Sequence, residues 1–187
     1  MRARLALAVS ETRYELREVK LSAKPAAMLA ASPKGTVPVL VLPGGQVIDE
    51  SLEIMRWALA NQDPEGWLAR DDPALIADND GPFKHDLDHY KYPGRYGADA
   101  GAHRDSALAF LRELDARLAK SNQLCGPGRG LADAAIVPFV RQFAAVDPVW
   151  FDKQPLEQLK RWLSGHLTSP LFEAIMLRVP VWPTGES

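Results

Sequence analysis

The stretch that most constrains the fold is a hairpin that runs straight into a helix. Thr36-Val37-Pro38-Val39-Leu40-Val41-Leu42 is rich in β-formers and apolar on both faces, Pro43-Gly44-Gly45 interrupts it, and Gln46-Val47-Ile48 returns. Two β-rich runs around a Pro/Gly turn predict an antiparallel hairpin. Asp49-Glu50-Ser51 follows at once and opens a helix to about Ala60, with Leu52, Ile54, Met55 and Ala58 as its buried side. Acidic side chains suit the positive end of that helix dipole. Such a junction belongs to a small α/β unit.

The residues before it fit the same unit. Leu5 and Val9 lie four apart with Ala6 and Ala8 between them, which predicts a helix with Arg2 and Arg4 on its polar side. Tyr14-Glu15-Leu16-Arg17-Glu18-Val19 alternates apolar and polar and predicts a half-buried strand. Pro25 opens a short helix to about Ala31.

Beyond the hairpin–helix junction the texture changes. From Gln62 to about Gly101 the chain is rich in Asp, Gly and Pro, with a short helix expected around Phe83 to His89. After it only helical patterns occur. Leu108, Leu111, Leu114 and Leu118 stripe a helix from Asp105 to Lys120, and Gly130-Leu131-Ala132-Asp133 opens another with Asp133 as its cap. Pro138 is expected to kink that helix. Two more helices are expected from Leu156 to Ser164 and from Pro170 to Leu177, the second capped by Ser169. The expected domains are therefore an α/β domain over 1–61, a linker over 62–79 and an all-helical domain over 80–187.

In this order, Ser32-Pro33-Lys34-Gly35-Thr36-Val37-Pro38-Val39-Leu40, Ile48-Asp49-Glu50-Ser51 with Ile54, Leu131-Ala132-Asp133, and Ser169-Pro170-Leu171-Phe172 resemble the cytosolic glutathione transferases. Lys24-Pro25 is similar to the omega-like, glutaredoxin-related bacterial-type branch. The resemblance implies a thioredoxin-like domain followed by an all-α domain, with glutathione as co-substrate and a homodimer as the assembly.

It also implies roles. Val37 would bind the cysteinyl residue of glutathione through its backbone, as an added strand does, and Pro38 would be cis, turning the Val37 carbonyl to the ligand. Glu50 would take the γ-glutamyl amine, and Ser51 with the helix N-terminus would take its α-carboxylate. Lys24 would pair with the glycyl carboxylate. Tyr90, Tyr92 and Trp67 are candidates for the wall of the cleft that receives a small electrophile. Read as isolated residues, Val37-Pro38 could equally enter a strand in trans, Glu50-Ser51 could simply cap a helix, and Lys24 could be a solvated lysine.

The resemblance assigns the reactive Cys, Ser or Tyr to the N-terminus of the first helix, after a first strand. Met1-Arg2-Ala3-Arg4-Leu5 resembles the residues just beyond that motif, so the first strand and the nucleophile are expected upstream of Met1, and no catalytic residue is assigned within the chain. Activity would be conjugation of glutathione or thiol exchange with it; the alternative is a non-catalytic interaction module of the same fold.

Cys125, the single cysteine, sits in Leu124-Cys125-Gly126-Pro127-Gly128 with no neighbouring His or Lys to lower its pKa and is expected to be inert. Lone cysteine usage fits a reducing, cytoplasmic compartment. His85 and His89 are four apart, but no third ligand follows at a metal-site spacing, so no metal is expected. A net charge of −2 without a basic tail argues against nucleic acid, and the longest uncharged stretch is too short and too Pro-rich for a membrane span.

Overall fold

The computed structural model describes residues 1–182. It divides into two compact units. One comprises Met1–Pro64 together with the segment from Pro170, and the other comprises Glu65–Ser169.

In the first unit, helix α1 (Arg2–Val9) is the core element. Ala3, Leu5, Ala6, Leu7 and Val9 are all buried, the pattern of a helix enclosed on nearly every side. It packs against α3 (Ser51–Asn61) and α11 (Pro170–Ile175). Arg2, expected on a polar side, is buried, and Arg4 Nη2 donates to the Leu177 carbonyl at 3.0 Å. Helix α2 (Ala26–Ala31) follows Pro25 as expected.

The hairpin forms as β1 (Leu40–Val41) and β2 (Val47–Ile48), antiparallel, with Leu40 opposite Ile48 and Val41 opposite Val47. The Val37-Pro38 bond is cis, as the resemblance implied. The strand expected over Tyr14–Val19 does not form. That segment is largely exposed and, among the described residues, makes one parallel bridge, Glu18 to Val181, with the Trp182 N–H donating to the Glu18 carbonyl at 2.7 Å. Alternation stabilises a strand only through cross-strand neighbours, and the described neighbour here is a one-residue bridge rather than a ladder.

The second unit is all helical. Its centre is α8 (Leu131–Ala144), in which Leu131 through Pro138, Val140 and Phe143 are buried. The other helices of the unit are α4 (Pro73–Asp78), α5 (Lys84–Lys91), α6 (Pro93–Tyr96), α7 (Ala100–Leu118), α9 (Pro148–Asp152) and α10 (Glu157–Leu167), of which α4, α5 and α10 pack against α8. The stretch expected as a linker is structured from Glu65 onward and belongs to this unit. Asp72 caps α4, its Oδ1 accepting from the Leu75 N–H at 3.0 Å, with Pro73 in the first turn. A π-helical turn, Asn79–Phe83, carries Pro82 and joins α4 to α5 through helical backbone. A proline lacks the ladder N–H, and a wider turn is a common place for that loss. Helix α7 begins five residues before the expected Asp105, because Asp99 Oδ1 accepts from Gly101 and Ala102 N–H at 2.9 and 3.2 Å.

The start of α8 is capped from three directions. Leu131 N–H donates to the Trp67 carbonyl at 3.1 Å and Ala132 N–H to the Arg70 carbonyl at 3.3 Å. Asp133, fully buried, accepts from Gly130 N–H at 3.0 Å, Leu124 N–H at 2.9 Å and Trp162 Nε1 at 2.8 Å. Helix ends leave orphan N–H groups that must find partners, and here tertiary carbonyls and one carboxylate supply them. Pro138 lies inside α8.

Candidate functional site

In the first unit the candidate residues meet where the 32–38 loop faces the start of α3. Ser32 Oγ donates to Asp49 Oδ2 at 2.9 Å, and Lys34 Nζ donates to Asp49 Oδ1 at 3.2 Å and Glu50 Oε1 at 2.9 Å. These bonds tie the loop to the residues that precede Ser51. They also set the charges. Donating to Glu50 and then to Asp49 raises the Lys34 pKa, and accepting from Ser32 and then Lys34 lowers that of Asp49.

Glu50 is the N-cap of α3 in extended backbone, and its side chain makes no cap hydrogen bond. The first-turn N–H groups of α3 therefore have no side-chain acceptor from their own cap, and a helix N-terminus of this kind suits an anion. A groove of about 520 Å³ runs along the same edge, lined by Gln46 to Glu50, Glu53, Arg56 and Trp57. Lys24 reaches the other end of the loop. Gly35 sits at φ +60°, where a Cβ would lie 3.2 Å from Lys24 Nζ, so the ammonium lies against the turn two residues before Val37. Val37 is about half exposed, at 48%.

Lys24, Val37, Pro38, Glu50 and Ser51 thus all lie on or beside the 32–38 loop and the α3 start. Sequence reasoning did not single out Ser32, Lys34 and Asp49 as a network. The available signal was a cation and a hydroxyl in a turn, followed across a short hairpin by paired carboxylates.

The three aromatic candidates have separate surroundings in the second unit. Trp67 is fully buried, with its Nε1 donating to Glu65 Oε2 at 2.8 Å and its carbonyl capping α8; it offers no surface to a ligand. Tyr90 is buried against Phe143, with ring centroids 5.1 Å apart, and burial raises its pKa. Tyr92 is exposed, and the Lys91 ammonium lies 4.9 Å from its ring centroid. Cys125 is half-buried, and burial together with the Asp133 and Asp72 carboxylates pushes its thiol up to about 11. At neutral pH it is a thiol rather than a nucleophilic thiolate.

Two family models match the chain: the N-terminal domain of glutathione S-transferase over residues 1–61 and its C-terminal domain over residues 65–164. No curated protein matches in sequence. Among solved structures, a glutathione S-transferase from Rhodospirillum rubrum superposes with a TM-score of 0.73 at 24% identity, covering 96% of this chain and 87% of its own. A sphingomonad glutathione S-transferase complexed with glutathione gives 0.73 at 21%, covering 94% and 91%. A glutathione transferase family member from Pseudomonas fluorescens with two glutathione bound gives 0.74 at 20%, covering 93% and 86%.

Proposed function

This chain belongs to the glutathione S-transferase family, and on that premise we propose that its first unit binds glutathione and presents the thiol to a small electrophile. The observation that carries the proposal is the Ser32–Lys34–Asp49–Glu50 network, which holds the 32–38 loop against an α3 N-terminus whose cap leaves its first-turn donors to a ligand.

Glutathione is an extended tripeptide with one ammonium and two carboxylates, and each end has a partner here. The γ-glutamyl carboxylate meets the α3 N-terminus and the Ser51 hydroxyl. Its ammonium meets the Glu50 carboxylate, which Lys34 engages through Oε1 and orients. The cysteinyl backbone pairs with Val37 as an added strand, and Lys24, drawn in over Gly35, takes the glycyl carboxylate. Charge-assisted hydrogen bonds contribute roughly 1.5–3 kcal/mol each, so the charged ends carry most of the affinity. We assign conjugation, or thiol exchange through a mixed disulfide, as the chemistry at the bound sulfur. A homodimer is the proposed assembly, and a reducing compartment follows from the co-substrate.

Isothermal titration of the full chain with reduced glutathione tests the reading. Saturable binding is expected in the unaltered protein, weakened about tenfold or more in Ser51→Ala and Glu50→Ala, given about 1.4 kcal/mol per factor of ten. A folded protein that shows no heat of binding overturns it and leaves a non-catalytic interaction module of this fold.

A further inference from the structure

Sequence spacing gave two histidines four apart; the fold supplies a third from another helix. His85 and His89 lie on one face of α5, and His103 comes from the first turns of α7. One ring nitrogen of each lies within 4.8 Å of those of the other two, making this the metal-like group among the described residues. Ring centroids are 4.0 Å apart for His85 and His89, 4.6 Å for His89 and His103, and 5.4 Å for His85 and His103.

Two of the three rings have hydrogen-bond partners of the kind that support ligating imidazoles. His103 Nδ1 donates to Asp86 Oδ1 at 2.7 Å, and His89 Nδ1 donates to the His85 carbonyl at 2.7 Å. Each bond puts the proton on Nδ1 and leaves that ring's Nε2 with its lone pair, and Asp86 Oδ1 also lies 3.5 Å from His85 Nδ1; a carboxylate or backbone carbonyl behind a histidine is the usual support for a metal ligand. The Tyr96 ring stacks on His89 with centroids 4.2 Å apart and limits its rotation. The backbone beneath is anchored, since Phe83 just before α5, Leu87 of α5 and Ala107, Leu108 and Leu111 of α7 are buried, and Asp99 caps the turn that carries His103.

We propose that His85, His89 and His103 form a binding site for a late first-row divalent metal ion of the Zn²⁺, Ni²⁺ or Cu²⁺ class. Imidazole nitrogen selects these ions over Mg²⁺ and Ca²⁺, which take oxygen. Zinc–nitrogen bonds of about 2.0–2.1 Å place tetrahedral ligand atoms about 3.4 Å apart, so the rings must close by an ångström or so around the ion. His85 is the exposed member and has the rotamer freedom to make that movement. Its solvent side leaves the fourth position to water. Asp86 acts behind His103 as a positioning residue.

The test uses the untagged full chain, stripped with chelator, and titrates it with Zn²⁺ by calorimetry and with Co²⁺ by visible absorption. One equivalent is expected to bind, with Co²⁺ giving the intense bands of four-coordination. His85→Gln and His103→Gln should each weaken Zn²⁺ binding by more than tenfold, and Asp86→Asn by about tenfold. His85 is exposed, so His85→Gln leaves the core intact and keeps the comparison meaningful if His103→Gln fails to fold. No saturable binding up to about 1 mM Zn²⁺, or binding unchanged in His85→Gln, overturns the proposal.

Discussion

Replacing Asp133 by Ala tests whether one buried carboxylate holds three segments of the helical unit together. Its oxygens accept from Leu124 N–H, Gly130 N–H and Trp162 Nε1 at 2.8–3.0 Å, with no surface exposed. After truncation Trp162 keeps Gln123 Oε1 at 3.0 Å. The Leu124 and Gly130 amides lose their acceptor, and each stranded buried donor costs about 1–3 kcal/mol. Burial opposes this: it raises the Asp133 pKa against the pull of those same donors, so removing the anion returns part of a desolvation cost. The net expectation is a loss of about 2–4 kcal/mol, or a melting temperature lower by roughly 5–15 °C for a chain of this size. Urea unfolding followed by far-UV circular dichroism measures it. Trp162→Phe in the same assay removes one of the three donors and should cost about 1–2 kcal/mol, and the double variant should lose less than the sum of the two. A loss below about 1 kcal/mol for Asp133→Ala, or strict additivity with Trp162→Phe, would refute the argument that these bonds, rather than apolar packing alone, set the junction.

Three further outcomes follow from the same unit. His166 is buried, donates Nε2 to Gln123 Oε1 at 2.9 Å, and is pushed by burial to about 3. Its stabilising neutral form is fully present above pH 6.5 and is lost as pH falls towards 3, at about 1.4 kcal/mol per unit; stability at pH 5 should drop by about 2 kcal/mol relative to pH 8, a drop that His166→Gln removes. In Gly130→Ala the new Cβ would lie 2.4 Å from both the Arg70 carbonyl oxygen and its Cβ, so thermal melting should show a loss of about 2 kcal/mol or more, and an unchanged melt would contradict this packing. With its thiol near 11, Cys125 should react with an aromatic disulfide at pH 8 about 100-fold more slowly in the folded protein than in urea; equal rates would show that the thiol is not held as described.

The parts of this fold that could be read from sequence are those where a local signal and the tertiary outcome agree. Leu40–Val41 and Val47–Ile48 pair because a Pro/Gly turn lies between β-rich runs, and α3 starts at Ser51 where acidic residues precede an apolar stripe. Asp133 marked the start of α8 for the same reason. What stayed hidden depended on partners distant in sequence. Tyr14–Val19 has the period of a strand, but among the described residues its backbone pairing is one bridge to Val181 and the Trp182 N–H on the Glu18 carbonyl. Gly81-Pro82 looks like a break, yet a π-helical turn carries the helix through it. In the candidate glutathione site, Glu50 and Ser51 were visible as a helix start, while Lys34's bonds to Asp49 and Glu50 depend on how the hairpin folds back. His103 stood outside every histidine spacing because it comes from a different helix.

The first unit is written in two pieces, with the whole second unit between them. Synthesis runs from the N-terminus at about 5–20 residues per second, so roughly 5–20 s pass between the emergence of Pro64 and that of Pro170. During that interval α1 has α3 but lacks α11, and Arg4 lacks the Leu177 carbonyl. The helical unit, contiguous in the chain, is complete before the unit that precedes it. The order of maturation is therefore the reverse of the order of translation.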